Sequence, residues 1–277
     1  MPEGVEVTIL CEKLSKSLLE PKPCTINNVQ ILGGRYKRHG SPKGYNAFKK
    51  ALPLKLKSIN NYGKFIYFLL QDDWYIMFTL GMTGIISVHD KPNKHDHILF
   101  EANCLKFYFN DLRNFGTIQF AQGDKLIKEK LEFLGPDPLR RKINYVKYLE
   151  LYNKFNKNTL IGDLLLEQNF FAGVGNYLRS DMLYRAKIHP NQPIGTLTNA
   201  EKKRLYNSIY DVSRRSYKIL SKEMQDIPNT ETGNELKCGM KFLVYKQKED
   251  PDGNPVVRMK MKNGRSIWYS PKKQELH

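Results

Sequence analysis

Acidic residues are in short supply. The chain has 28 Asp and Glu against 45 Lys and Arg, a formal net charge of +17 over 277 residues. That imbalance points to a polyanionic partner, nucleic acid before anionic membrane. Long hydrophobic runs are also missing. The longest, Phe65 to Leu70, stops at Gln71-Asp72-Asp73, far short of the ~20 residues a spanning helix needs, so no membrane role is expected. The N-terminus, Met1-Pro2-Glu3-Gly4-Val5-Glu6, is acidic where a signal peptide would be basic, and an intracellular rather than secreted protein is expected. Cysteine is sparse. The four, at positions 11, 24, 104 and 238, include no pair at zinc-knuckle spacing and are too few for a disulfide scaffold. They read as reduced, mostly buried thiols. With 40% hydrophobic and 26% charged residues, the composition is that of a folded protein with one or two domains.

What is present is a change of pattern along the chain. Over residues 2 to 20, Val7, Leu10, Cys11, Leu14 and Leu18 recur at helical spacing. Glu3 and Glu6 sit in the first turn, where the helix dipole favours anions. From about 25 to 121 short apolar runs suggest strands, separated by Gly, Asn and Asp: 25–31, 64–70, 74–78, 85–88, 98–100, 105–109 and 117–120. That series predicts a β-sandwich or barrel. Gly135-Pro136-Asp137-Pro138 marks a boundary. Helical spacing then covers 144 to 222, and a polar, loop-like stretch follows from 225 to 238. The end reads as two β runs, Phe242–Tyr245 and Ser266–Tyr269, with turns at Pro251-Asp252-Gly253-Asn254 and Asn263-Gly264. Domains are therefore expected at 1–122 and 136–277, the latter split into a helical part (about 136–224) and a hairpin (about 239–277).

Four positions could carry chemistry. Removal of Met1 would leave Pro2 as a secondary α-amine, which titrates near ~8 and can attack an aldehyde-like carbon to form an iminium. Glu3 and Glu6 put carboxyls close by for proton transfer. The same residues also suit an ordinary capped helix start. Lys64 follows Asn60-Asn61-Tyr62-Gly63 at a hairpin tip, as a phosphate contact or merely as a solubilising edge lysine. Asn176 follows the turn Ala172-Gly173-Val174-Gly175 before a helix, where backbone N–H groups can hold a phosphate. Arg265 lies at the tip of the C-terminal hairpin among Arg258, Lys260, Lys262, Lys272 and Lys273. Such a tip can enter a DNA groove or simply be solvated.

Taken together, these segments resemble, in order, the formamidopyrimidine-DNA glycosylase / endonuclease VIII family. The matching stretches are Met1–Val7, Gly63-Lys64-Phe65, Leu80–Gly84, Lys94-His95-Asp96-His97, Asp111–Gly116 and Glu167–Arg179, the last similar to the family's helix–two-turn–helix. The hairpin Lys262–Trp268 looks like the zincless finger of the endonuclease VIII-like branch. The resemblance implies an α+β fold: an N-terminal helix with a two-sheet β-sandwich, then a helix–two-turn–helix domain ending in an antiparallel zincless finger.

It also implies a DNA N-glycosylase and abasic-site lyase of base excision repair. Pro2 would attack C1′, Glu3 would assist sugar opening with Glu6 in support, and Lys64 and Arg265 would serve the eliminations. His95, Arg113, Lys157 and Asn176 would hold the DNA backbone. Met82, Arg113 and Phe115 would fill the gap left by a flipped base. The partner would be damaged double- or single-stranded DNA, bound by a monomer with no cofactor. Oxidised pyrimidines and ring-opened purines are the expected substrates. An 8-oxoguanine preference, or a non-catalytic damaged-DNA-binding protein on the same scaffold, are the alternatives. Three departures stand out. Val5 and Asn114 replace a proline and an arginine usual in the family. Pro251-Asp252-Gly253 and Ser270–Lys273 stand where zinc-binding members carry cysteine pairs, so no metal is expected there, and packing of Trp268 and Tyr269 would have to fix the hairpin tip.

Overall fold

The computed structural model describes residues 2–224 and 242–277. These form two compact units. One takes Pro2, Glu6–Glu132 and 221–224; the other takes Glu3–Val5, Phe133–Leu220 and 242–277.

In the first unit the expected N-terminal helix is α1 (Gly4–Leu19). Its predicted apolar stripe, Val7, Leu10, Cys11, Leu14 and Leu18, is buried. Eight antiparallel strands follow: β1 (Thr25–Ile31), β2 (Leu54–Tyr62), β3 (Phe65–Leu70), β4 (Trp74–Thr79), β5 (Gly84–Val88), β6 (Asp96–Ala102), β7 (Lys106–Asp111) and β8 (Thr117–Gln122). Their hydrogen-bonded order is β5-β7-β6-β1-β2-β3-β4-β8. The β1–β2 link rests on only two pairs, Thr25↔Lys55 and Ile26↔Leu54, so the order parts there into two four-stranded sheets. Aromatic rings show that these sheets face each other. Phe68 on β3 lies 6.0 Å from Phe107 on β7, and Phe78 on β4 lies 6.1 and 6.2 Å from Phe100 and Phe109. Along β2, buried Leu54 and Leu56 alternate with exposed Lys55 and the outward-facing Lys57, the period-2 signature of a strand with one face on a core.

Two features of this unit differ from the sequence reading. The stretch before β2 holds two short helices, α2 (Gly34–His39) and α3 (Tyr45–Ala51), which are too brief to show helical periodicity. Distant partners fix them instead: the Ile118 amide donates to the Tyr36 hydroxyl (2.6 Å), and Phe48 stacks on Phe120 (4.6 Å). Second, the cysteines are not all reduced thiols. Cys24 and Cys104 form a disulfide with Cα atoms 5.9 Å apart, while Cys11 is buried outside that bridge. The bridge removes the case for a reducing compartment drawn from unpaired thiols. Cys238 and the polar stretch 225–238 lie outside the described residues.

The first unit ends with α4 (Lys125–Phe133), whose last residue passes to the second. There the helical spacing resolves into α5 (Tyr145–Tyr152), α6 (Ile161–Leu164), α7 (Asn176–Ala186) and α8 (Asn199–Glu223). Asn144 caps α5 by accepting from the Lys147 amide, and Thr198 and Glu201 exchange hydrogen bonds as a capping box at α8. Among the described residues no helix is long and apolar enough to cross a membrane.

The C-terminal hairpin pairs β9 (Val257–Lys260) with β10 (Ser266–Tyr269), in register Ser266↔Lys260 to Tyr269↔Val257. The expected strand at Phe242–Tyr245 is a turn. The buried Asp181 carboxylate on α7 accepts from the successive amides of Leu243, Val244 and Tyr245 at 2.8, 3.0 and 3.2 Å. A strand points alternate amides in opposite directions, so it could not offer three in a row to one group.

The base of the hairpin is tied by another carboxylate. Asp250 accepts from the Asp252 and Asn254 amides, the Asn254 side chain and the Ser270 hydroxyl. Gln274 accepts from the Ser270 amide and donates to the Ile188 carbonyl. These donors and acceptors satisfy one another, and no thiolate stands among them, so the cluster does not fit a zinc ion. Burial pushes the Asp250 carboxyl up, but hydrogen bonds from Asn254, Ser270 and Asp252 outweigh it and hold the group below its ordinary 3.8. A lowered folded value adds stability that is present above pH 3.8 and lost as pH falls through the folded value. Asp250→Ala is therefore expected to lower the thermal midpoint by about 5–10 °C. The gap between variant and wild type should close below pH 3.8. Calorimetry across pH 3 to 8 measures both; a constant gap down to the lowest pH would contradict the assignment.

Candidate active site

Candidate residues fall in both units. In the first, Lys64 is the second residue of the two-residue β2–β3 turn, bracketed by the Tyr62↔Phe65 pair. Gly63 has φ +55° there, a region that only glycine enters cheaply. Asn61 braces the turn: its side-chain amide donates to the Gly63 carbonyl (3.2 Å) and to the Thr8 hydroxyl on α1 (2.9 Å). The lysine turn is thus tied to the helix that begins two residues after Pro2. Glu6 is buried in the first turn of that helix.

Met82, Arg113 and Phe115 are brought together on two neighbouring loops, β4–β5 and β7–β8. Gly81 has φ +60°, and a side chain there would meet the Phe115 backbone at 2.8 Å, so the loops are in close contact. Met82 is 42% and Phe115 54% exposed; two large apolar side chains left in solvent at one place mark an interaction surface. The Arg113 guanidinium lies 4.9 Å over the Phe115 ring. Fully buried Asp111 organises both loops, and the sequence reading gave it no role. Its carboxylate accepts from the amides of Arg113 (3.2 Å) and Gly116 (2.6 Å) and from the Thr83 hydroxyl. Its own amide donates to the carbonyl of His95 (3.0 Å), which places His95 beside this group. Asn114 stands at φ +58°, a left-handed region that asparagine tolerates, and accepts from the Arg35 amide.

In the second unit Glu3 is 2% exposed. Its carboxylate accepts from the Tyr177 amide (2.8 Å) and the Leu178 amide (3.2 Å) in the first turn of α7. The anion at this helix N-terminus is therefore the protein's own, and it takes amides that the sequence reading left for a phosphate. The glycines are explained by close approach. The Gly4 amide donates to the Gly173 carbonyl (2.8 Å), and a side chain at Gly175 would overlap the Glu3 carboxyl. Gln168 holds the turn, accepting from Gly173 and donating to the Val174 carbonyl.

The Asn176 side chain donates to the Ser266 carbonyl (3.1 Å), next to Arg265, which is exposed at the hairpin turn. Gly264 has φ +78° in that turn, as expected for an Asn-Gly tip. Arg179, quoted only as part of a motif in the sequence reading, is fully buried and donates to the carbonyls of Gly162 (2.7 Å) and Ser266 (3.1 Å). Burial lowers its guanidinium to about 10, with Asp163 opposing and Arg265 adding to the shift. Trp268 packs on Tyr245 (4.6 Å) and Tyr269 on His189 (4.7 Å). Lys157 is not joined to this group. It is exposed before α6, and its carbonyl accepts from Gly195 (2.8 Å).

Comparison with known proteins places this geometry. The family model for the formamidopyrimidine-DNA glycosylase N-terminal domain matches residues 1–118, and that for the formamidopyrimidine-DNA glycosylase H2TH domain matches 134–226. The chain belongs to the formamidopyrimidine-DNA glycosylase family. It is 30% identical to the formamidopyrimidine-DNA glycosylase of Pelotomaculum thermopropionicum over 100% of both chains. Identity to that of Desulfitobacterium hafniense is 29%, over 98% of each. Among solved structures it is similar to MutM in complex with DNA containing carbocyclic 8-oxo-G (TM-score 0.82, 26% identity, 99% and 100% coverage). It also shares the fold of Lactococcus lactis Fpg in complex with abasic-site DNA (TM-score 0.82, 23% identity, 99% of each chain). Membership in the formamidopyrimidine-DNA glycosylase family makes this a DNA glycosylase of base excision repair by class.

Within that family frame, Asp111 has a measurable role. Asp111→Ala removes the buried acceptor of the Gly116 amide and the Thr83 hydroxyl, while the Arg113 amide keeps Thr83 Oγ1, and should cost about 2–4 kcal/mol of stability. Denaturant unfolding measures it, and a cost under about 0.5 kcal/mol, the level of a surface substitution, would show that the carboxylate is not what holds the loops.

Proposed function

We propose that this chain is a bifunctional DNA glycosylase and abasic-site lyase that excises oxidised bases through a Schiff base at Pro2. The observation that carries this reading is the buried Glu3 carboxylate, fixed by two amides of α7 and one peptide bond from Pro2. The bonds that cap α7 also hold an acid beside a secondary amine, a pairing that iminium chemistry needs and DNA binding alone does not.

In this reading, loss of Met1 exposes the Pro2 nitrogen. The amine attacks C1′ of the damaged nucleotide, the glycosidic bond breaks and the base leaves. Glu3 takes the proton that the Pro2 nitrogen loses on attack and delivers it to the sugar oxygen as the ring opens to an iminium. Proton abstraction then expels the 3′ phosphate, and a second elimination expels the 5′ phosphate. Lys64 and Arg265 contact phosphate and serve these steps; His95, Arg113, Lys157 and Asn176 hold the backbone. Met82, Arg113 and Phe115 fill the space of the flipped nucleotide, offsetting an unstacking cost of a few kcal/mol. The +17 charge supplies the salt-dependent part of the affinity. DNA is the partner, and the site of action is intracellular, wherever DNA is held.

Oxidised pyrimidines and ring-opened purines are the proposed substrates, on the finger's likeness to the endonuclease VIII-like branch. The 8-oxo-G analogue in the DNA of the MutM complex favours a second reading, an 8-oxoguanine-preferring glycosylase. A panel of defined lesions in single- and double-stranded DNA separates the two.

Borohydride trapping tests the mechanism. Wild type should give a covalent adduct with lesion-bearing duplex, and Pro2→Gly should lose most of it. Glu3→Gln should reduce base release by about 10²-fold or more. An undiminished adduct from Pro2→Gly would remove Pro2 as the nucleophile.

A further inference from the structure

The turn that carries Arg265 makes a set of contacts that no mechanistic step uses. The Asn263 side-chain amide donates to Asp163 Oδ1 on α6 at 2.6 Å, and Asn263 Oδ1 accepts from the Arg265 backbone amide at 2.9 Å. One side chain therefore joins the Arg265 backbone to α6. On the other side of the turn, Arg179 donates to the Ser266 carbonyl and to the Gly162 carbonyl of α6, with its guanidinium 4.0 Å from Asp163. The two residues flanking the hairpin tip are thus held, one through Asn263 and one through Arg179, onto the same turn of α6. The Arg265 side chain is left exposed between these anchors. An exposed long-chain cation on an untethered two-stranded tip would sample many positions, and ordering it on a phosphate would cost side-chain and backbone entropy.

We propose that Asp163, Asn263 and Arg179 form a latch that presents Arg265 in one position, making them positioning residues for its contact with a DNA phosphate. The inference rests on the reading of Arg265 as a phosphate-contacting residue. Burial raises the Asp163 carboxyl, and the charges of Arg179 and Lys262 pull against it. Asp163 is neutralised in part by Arg179, so its hydrogen bond to Asn263, not its charge alone, gives the turn its direction.

A double-mutant cycle tests the latch, with affinity for a labelled duplex containing a tetrahydrofuran abasic analogue as the readout. Arg265→Ala and Asn263→Ala should each weaken binding roughly five- to tenfold, as expected for loss of one charge-assisted phosphate contact. Each should also lower the slope of log affinity against log salt by about 0.9. Because Asn263 acts through Arg265, adding Asn263→Ala to Arg265→Ala should change neither quantity further. Swapping the latch pair, Asp163→Asn together with Asn263→Asp, keeps one donor, two acceptors and the net charge. It should restore affinity to within about twofold of wild type, a difference of under about 0.5 kcal/mol.

Asn263 is exposed, so its variants are expected to fold; a thermal midpoint close to wild type confirms it. Additive losses in the double variant, or a swapped pair no better than Asn263→Ala, would overturn the proposal. The affinity readout needs no turnover. A wild type that binds through the latch but releases no base refutes the glycosylase reading and supports the latch; one with no affinity for the duplex refutes both.

Discussion

The structure turns on a single buried carboxylate. Glu3 lies in the first segment of the chain, and its two acceptor bonds come from Tyr177 and Leu178, 174 and 175 positions away. That contact carries the N-terminal residues Glu3–Val5 into the helical unit, although the helix they begin belongs to the sandwich. The rest of the glycine-rich turn follows from it. Gly4 and Gly175 are small because a side chain there would meet the Gly173 backbone and the Glu3 carboxyl, and Gln168 keeps the turn from relaxing. The arrangement gives the start of α7 its compensating negative charge from within the molecule. It also leaves Pro2 one peptide bond from a fixed point, which suits the nucleophilic role proposed for it.

The same device recurs. Asp111 gathers the amides of the Met82–Phe115 loops, Asp181 curls residues 243–245, Asp250 closes the hairpin base, and Asp163 meets the hairpin tip. In each case a buried or half-buried carboxylate takes hydrogen bonds from groups that a loop would otherwise present to solvent. Charge-assisted bonds of this kind are about twice as strong as neutral ones, and a carboxylate accepts several at once. In a chain with few acids, these positions are where the acids matter most. The exposed cations and apolar side chains expected to meet DNA sit on loops, and the buried acids give those loops a defined shape.

Where the function sits between two branches of the family, the hairpin is informative. Among the described residues its base holds no thiolate, and Asp250, Asn254, Ser270 and Gln274 satisfy one another there. Trp268 and Tyr269 pack as the sequence reading required, yet they are only part of the answer. The tip itself is tethered by Asp163 and Arg179, two residues on different helices.

Local pattern was enough for much of this. The spacing of Val7, Leu10, Leu14 and Leu18 gave α1; alternation and turn residues gave the strands; Gly63 and Gly264 marked both hairpin tips. Pro2, Glu3, Lys64 and Arg265 stood out by their own chemistry or by their place in a motif. What local pattern could not give was any pairing between distant positions. The helices α2 and α3, the bent segment at Phe242–Tyr245, the Cys24–Cys104 bridge and the roles of Asp163 and Arg179 come from partners tens of residues apart, and Asp111 joins Thr83, 28 positions away, to the amides of its own loop. A side chain's type and its neighbours in sequence fix its periodicity and its intrinsic chemistry. Which amide a buried acid must satisfy is decided only when folding removes water and leaves that amide no other acceptor.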